Sequence, residues 1–267
     1  MRFVPFASGS SGNCTYIGSD AAHLLVDAGI TRKKTTEGLQ SIGLTLRDID
    51  GIFITHEHSD HIGGLLMIAK QTDMPVYATA GTIRAILRNP AAQEIDPARF
   101  VAVRPDEKLT VKDITVDPMH ISHDAADPVG YRFTYGRKKA CVCTDLGCYT
   151  DYTVECLKDA DVLLVESNHD VNMLQVGPYP YPLKQRILSA TGHLSNACSG
   201  QMLSRVLNDH MKGIFLGHLS QENNLPELAF ETVRIEIMQS LSPYHDHTED
   251  LPIYIAKRRE RSRVIEF

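Results

Sequence analysis

The sequence has no run of eighteen apolar residues, so it offers no helix long enough to cross a membrane. Its opening stretch, Met1-Arg-Phe-Val-Pro-Phe-Ala-Ser8, lacks the apolar core of a secretory signal. A cytoplasmic protein is the expectation, with the six cysteines as reduced thiols rather than a disulfide framework. No two of them form a Cys-x-x-Cys pair, which points to core thiols and away from a cysteine metal site. There is no internal repeat, low-complexity tract or linker, so one domain over residues 1–267 is expected. Positive charge is in deficit: 27 Lys and Arg stand against 33 Asp and Glu, a net charge of −6. A protein holding nucleic acid by bulk charge alone would have the opposite sign. The local basic runs, Arg137-Lys138-Lys139 and Lys257–Arg263, read as solvated hairpins, with nucleic-acid binding as the second reading.

What the sequence does contain is Thr55-His56-Glu57-His58-Ser59-Asp60-His61, three imidazoles and two carboxylates in seven residues. Gly51–Ile54 before it is a short apolar run that predicts a buried strand, and Ile62–Lys70 after it reads as a helix opening. His56 and His58 share a face of extended backbone, while Asp60 and His61 fall in the turn and face a second point. Neutral imidazole and carboxylate are ligands of a borderline divalent ion such as zinc. The zincin pattern, two histidines at i and i+4 of a helix, is absent.

Strands are expected at Arg2–Ala7, Cys14–Ile17, His23–Val26, Pro75–Ala78, Phe100–Val103, Leu109–Val111, Ile114–Met119, Gly130–Tyr135, Lys138–Thr144, Val162–Val165 and Gly213–Leu216. Helices are expected at Thr31–Ile42, Thr79–Arg88, Asn196–His210 and Pro226–Gln239, with Ser195 a natural N-cap. The turn Ser8–Asn13 is dense in small residues that permit close backbone approach. Gly177–Pro182 is a Pro/Tyr-rich loop, and two strands are expected after residue 250. Polar residues close several strands: His120 and His123 compete at one end, and Asp145, Glu166 and His218 stand at others. His169, His210, His245 and His247 read as surface residues. Alternating strands and helices with polar strand ends group chemistry on one edge of a layered sheet structure.

The His-x-His-x-Asp-His signature at His56–His61 resembles that of the metallo-β-lactamase-fold hydrolases. Over nearly its full length the sequence is similar to a bacterial subfamily of that fold, the RNase Z-related YycJ/WalJ-like proteins. The similarity is carried by Ser8-Gly-Ser-Ser-Gly-Asn13, Thr144-Asp145, Glu166-Ser-Asn-His169, Gly192-His-Leu-Ser-Asn196 and Leu216-Gly-His-Leu-Ser-Gln-Glu-Asn-Asn224. The resemblance implies an α+β fold, a four-layer αββα sandwich of two mixed sheets flanked by helices, without a β-CASP insertion. It implies two divalent ions, zinc or manganese, with iron a further candidate. His56, His58 and His123 would hold the first, Asp60, His61 and His218 the second, and Asp145 would bridge them; His123 is favoured over His120. Glu166 and His193 match a pair in which the histidine protonates the leaving group and the glutamate orients it, and Asp60 would assist the water. Without a β-CASP domain the substrate falls to the loops, with Ser10, Asn13, Lys184, Arg186, Ser195 and Asn196 as candidates.

Two such ions lower the pKa of water, polarise a phosphoryl oxygen and offset charge in an in-line displacement. The resemblance implies a 5′-to-3′ DNA exonuclease, with a place in DNA repair or near cell-wall two-component signalling. Zinc β-lactamases place cysteine or histidine in this part of the motif set, which argues against antibiotic hydrolysis. The alternative is a di-metal hydrolase of small thioesters or lactones, similar to glyoxalase II, which would not need Glu166 or His193. A non-enzymatic regulator would be suggested by a missing ligand, and none is missing.

Overall fold

The computed structural model describes the backbone of residues 1–267 and every side chain except those of Gln93 and His245, so the surface reading of His245 lies outside the described residues. The chain divides into two compact units. The first comprises residues 1–120, 125–138 and 257–267. It opens with an antiparallel meander, β1 (Arg2–Ala7), β2 (Cys14–Gly18) and β3 (His23–Val26). After α1 (Arg32–Gln40) the chain enters β4 (Gly51–Phe53), which pairs parallel with β3. Helices α2 (Ser59–Ile62) and α3 (Leu65–Ala69) lead to β5 (Val76–Thr79), and α4 (Ala80–Leu87) leads to β6 (Phe100–Val103), both strands again parallel. An antiparallel set follows: β7 (Leu109–Val111), β8 (Ile114–His120) and β9 (Val129–Tyr135).

The second unit comprises residues 121–124 and 139–256. Its strands β10 (Lys138–Cys143), β11 (Val162–Glu166), β12 (Gly213–Gly217) and β13 (Ile253–Ile255) are all parallel. Such strands are covered on both faces, which is why Val162–Val165 and Gly213–Leu216 read as unbroken apolar runs. Between them lie α5 (Asp151–Leu157), α6 (Val171–Val176), α7 (Tyr181–Leu188), α8 (Asn196–Ser204) and α9 (Pro226–Met238). The tail returns β14 (Ile265–Glu266) to β1. The described strands form two mixed seven-stranded sheets, ordered β14-β1-β2-β3-β4-β5-β6 and β13-β12-β11-β10-β9-β8-β7. No helix among the described residues is long and apolar enough to cross a membrane.

Phe53, at the end of β4, is fully buried in the first unit. Its ring stacks on Tyr77 at 4.4 Å and meets Tyr131 and Phe133 edge-on at 5.3 and 5.7 Å. These are the offset and T-shaped geometries that ring quadrupoles favour. The Tyr131 hydroxyl donates to the Ile54 carbonyl (2.8 Å), and the Val129 N–H donates to the Thr55 carbonyl (3.0 Å). The strand that ends at Phe53 is therefore clamped where the histidine-rich stretch begins.

Two expectations were too simple. The helix expected over Asn196–His210 stops at Ser204, since Asn208, Asp209 and His210 follow with turn-forming side chains. The Pro/Tyr-rich loop is partly helical, because Pro182 sits at the tolerated N2 position of α7 rather than inside a helix. Cys14, Cys141 and Cys143 are buried in strands as core thiols, and Cys148, Cys156 and Cys198 are half-buried.

Candidate metal centre

In the first unit the ligand types come from one continuous stretch. Residues after β4 run extended, so His56 and His58 project together with ring centroids 4.6 Å apart. The chain then turns into α2, which brings the His61 ring to 4.0 Å from that of His56. Gly29 permits this turn: a Cβ there would meet the Asp60 carbonyl oxygen at 1.6 Å.

His61 is aimed by a carboxylate that composition and spacing did not single out. Asp27, at φ +62, accepts from the Thr55 N–H (2.8 Å) and from His61 Nδ1 (2.8 Å), and its two oxygens lie 3.0 Å from the Thr55 hydroxyl. Burial pushes the Asp27 carboxyl up, while the His61 ring and the Thr55 hydrogen bonds pull it back. With Nδ1–H given to Asp27, Nε2 is the lone-pair nitrogen of His61, the one a metal takes. That nitrogen faces Asp60 Oδ2 at 3.5 Å and the Asn13 amide at 3.0 Å. Asn13 is itself held by the Gly9 N–H (2.8 Å), so its amide group lies against Asp60 and His61. Ser10, at the tip of the same turn, is exposed and accepts from the Arg258 guanidinium at 3.4 Å.

The second unit builds its set from five separate places. His123 is buried, with Nδ1 3.2 Å from the Gly192 carbonyl and its ring 5.3 Å from that of His193. His120 is exposed. Asp145 and His218 follow the ends of β10 and β12 at φ +60 and +55. With Asp27 they make three of the six described non-glycine residues at positive φ, a conformation that persists only where surroundings enforce it. Gly147 lets the Asp145 turn lie on the 190–193 loop; a Cβ there would meet the Ala190 oxygen and the Gly192 nitrogen at 2.4 Å.

Glu166, at the end of β11, is fully buried and ties this set together. Its Oε2 accepts the N–H groups of Leu146 (2.8 Å) and Leu194 (3.2 Å). Its Oε1 lies 2.8 Å from His193 Nδ1 and 3.0 Å from His218 Nδ1. Burial alone would push the Glu166 carboxyl up, but the His193 and His218 rings hold it below the ordinary glutamate range. Burial alone would lower the His193 ring, but the Glu166 carboxylate raises it above the ordinary histidine value. Ligand atoms of Asp145, Glu166, His193 and His218 lie within 4.8 Å of one another, and imidazole with carboxylate suits zinc or manganese. Among the described residues no cysteine joins such a group.

The other expected contacts are placed as follows. Arg186 makes a two-pronged ion pair with Asp124, and the Lys184 ammonium donates to the Gln175 carbonyl (2.7 Å). The Ser195 hydroxyl caps α8 by accepting from the Cys198 N–H (3.2 Å). Asn196 is buried, exchanging amide hydrogen bonds of 2.9 Å with Asn224 and accepting from Ser167 (2.7 Å). One reading is corrected outright: His169 is 1 % exposed, not a surface residue. Its backbone bridges to Ser195, with the His169 carbonyl accepting the Asn196 N–H (2.9 Å), so it lies beneath the start of α8. Burial pushes its ring down to about 4, against the pull of Glu166.

The sequence matches the family model described as "Beta-lactamase superfamily domain" over residues 23–212. It is 42 % identical to exodeoxyribonuclease YycJ of Bacillus anthracis over 229 residues, covering 86 % of each chain. It is 41 % identical to exodeoxyribonuclease WalJ of Streptococcus pneumoniae over 240 residues, covering 90 % of this chain and 89 % of that one. Among solved structures, the metallo-β-lactamase fold protein YhfI of Bacillus subtilis superposes with a TM-score of 0.72 at 18 % identity, covering 100 % of this chain and 99 % of that one. The short form of human tRNase Z superposes with a TM-score of 0.65 at 17 % identity and the same coverage. These two structures speak for the fold alone.

Proposed function

Since the chain belongs to the family of β-lactamase superfamily domains and has the metallo-β-lactamase fold, we propose that it is a metal-dependent exonuclease that trims DNA from the 5′ end. It would act in the cytoplasm, with residues 1–267 working as one catalytic domain. The activity named for the YycJ and WalJ relatives supports this reading. The observation that carries it within this chain is the 2.8 Å pair of His193 with the buried Glu166. A leaving alkoxide on phosphorus needs a proton, and a positioned imidazolium supplies one, typically for a 10²–10⁴-fold gain in rate.

The family pattern assigns His56, His58 and His123 to one ion and Asp60, His61 and His218 to the other, with Asp145 shared; zinc and manganese both suit these donors. Such ions supply Lewis acidity and a water acidic enough to ionise near neutral pH. The chain's own residues do the rest. Glu166 keeps the proton on His193 Nδ1 and favours the charged ring, so Nε2–H is the group available to the leaving oxygen. The N–H groups of Leu146 and Leu194 fix the Glu166 carboxylate, so the acid is oriented before substrate arrives. Asp27 fixes the tautomer of His61, and Asn13 holds the Asp60 carboxylate beside it.

The test is cleavage of DNA labelled at either end by purified protein with zinc or manganese. Stepwise release of mononucleotides from the 5′ terminus is expected, and Asp145→Ala should reduce it to background. Intact DNA with both metals, alongside turnover of a small thioester, would overturn the reading.

A further inference from the structure

The second unit exposes an apolar patch that the reaction described above does not use. Val176 is 86 % exposed, Tyr181 73 % and Leu225 53 %. Exposed apolar groups scattered singly are ordinary, but the contact of Gly177 with Asn223 brings the chain at Val176 beside that at Leu225, and Tyr181 follows Gly177 by four residues. Tyr181 opens α7 from the run Pro178-Tyr-Pro-Tyr-Pro182, where Pro178 and Pro180 stiffen the backbone in front of it and Pro182 the residue behind. The outward face of α7 continues through Gln185 to Leu188, both exposed, while Ile187 is buried on the opposite side.

The far end of α7 is attached to the loop that carries the acid. The Ile187 carbonyl accepts the His193 N–H (3.0 Å), and Arg186 grips Asp124 next to His123. Tyr181 lies six residues back along the helix, roughly 9 Å at 1.5 Å per residue. That is about the length of two to three stacked nucleotides at 3.4 Å each. Lys184, one turn on, gives one of its three N–H donors to Gln175 and forms no ion pair among the described residues. A flat ring followed by an available cation matches the alternation of base and phosphate along a strand.

We propose that Tyr181 is a stacking platform for a base of single-stranded nucleic acid, with Lys184 meeting an adjacent phosphate, a few nucleotides from the terminus held at Glu166 and His193. This deepens the exonuclease reading and rests on it. The platform tolerates any sequence, because every base has a π-face. It also places the grip on a net-acidic protein in one stacked ring and one cation rather than in a broad basic surface.

The chain contains no tryptophan, so Tyr181→Trp introduces a single reporter. In a His193→Ala background, which spares the strand, a fluorescein-labelled oligothymidylate is titrated while anisotropy and tryptophan emission are followed together. Quenching of the tryptophan in step with the anisotropy rise is expected. In the same background Tyr181→Ala should weaken binding about 5- to 150-fold and Tyr181→Phe only slightly, with the difference persisting at high salt. Binding by anisotropy with unchanged tryptophan emission, or Tyr181→Ala binding as tightly as the parent, overturns the platform and leaves the exonuclease reading standing. Capture of a protein partner by the patch with no oligonucleotide binding also overturns it. Wild-type protein that leaves DNA intact with zinc and manganese overturns the exonuclease reading instead.

Discussion

The first unit concentrates its candidate site residues in six positions, whereas the second gathers its own, candidate ligands and acid together, from positions 123, 145, 193 and 218 around Glu166. The first is shaped mainly by local backbone geometry: an extended segment, a tight turn and one helical turn bring His56, His58, Asp60 and His61 together. Its principal tertiary support is the single carboxylate of Asp27. The second exists only when the three parallel strands β10, β11 and β12 are in register, and its pieces converge on Glu166, which serves two histidines and two backbone N–H groups at once. A compact motif depends on one support for aim, and a dispersed one depends on a hub. Disturbing the hub should therefore damage chemistry, and disturbing the support should damage metal affinity.

The largest effect is expected from the hub. In Glu166→Gln the amide oxygen takes over the N–H groups of Leu146 and Leu194, which leaves the NH₂ facing His193 Nδ1. A donor there stabilises the tautomer with its proton on Nε2 and removes the counter-charge that favours the imidazolium, as in triads that lose their carboxylate. Turnover of DNA at saturating metal should fall about 10²–10⁴-fold, beyond the loss of metal affinity that follows from the same NH₂ facing His218 Nδ1. Equal loss of metal and of turnover would make Glu166 a ligand and erase the contrast between the two sets.

Next in size is a pH effect beside the same hub. The buried His169 ring is pushed down to about 4, and among the described residues neither ring nitrogen has a hydrogen-bond partner. In the unfolded chain the ring titrates near 6.5, so the unfolded state binds the proton more readily. The stability that goes with a neutral ring is whole above about pH 6.5 and is lost as pH falls towards 4, by about 3 kcal/mol or less. Urea unfolding of the parent and of His169→Phe at pH 7 and pH 4.5 measures this. The substitution should flatten the acid loss, and parallel curves would place the ring in water.

The contrast also explains what was legible before the structure. The motif at His56–His61, its strand and its helix could be read because every relation in it is local. The strand ends at Asp145, Glu166 and His218 could be picked out as polar residues closing apolar runs, but nothing in the chain says that Glu166 faces both His193 and His218. Asp27 directly follows β3, and its grip on His61 depends on the pairing of β3 with β4, which no local pattern announces. His169 was misread because Ser-Asn-His-Asp is polar, while its carbonyl accepts the Asn196 N–H and the next N–H, of Asp170, donates to the Asn223 carbonyl. The starts of α6 and α7 were hidden by proline density and short length.

The support of the compact set gives the next prediction. Asp27→Asn keeps an acceptor for the Thr55 N–H but turns an NH₂ towards His61, which moves the proton to Nε2 and removes the lone pair a metal needs. Loss of such an outer partner typically costs 10–100-fold in metal affinity. Competition with a chromogenic chelator should show that loss, a readout that does not depend on turnover. An unchanged affinity would mean that the motif aims itself without Asp27.

The smallest effect separates a structural duty from a substrate contact. Ser195 lies between His193 and α8, a position that suits gripping a phosphate, yet its hydroxyl accepts the Cys198 N–H and caps that helix. Removal of such a cap costs about 1 kcal/mol, and an aspartate in its place restores the acceptor and adds a charge favourable to a helix N-terminus. Ser195→Ala should therefore lower unfolding stability by about 1 kcal/mol, and Ser195→Asp should recover it. A phosphate contact predicts the opposite pairing: alanine would raise KM for DNA modestly, and aspartate would raise it far more by repulsion. Unfolding curves and KM measured on the same two variants decide between them, because stability follows the cap and KM follows the phosphate.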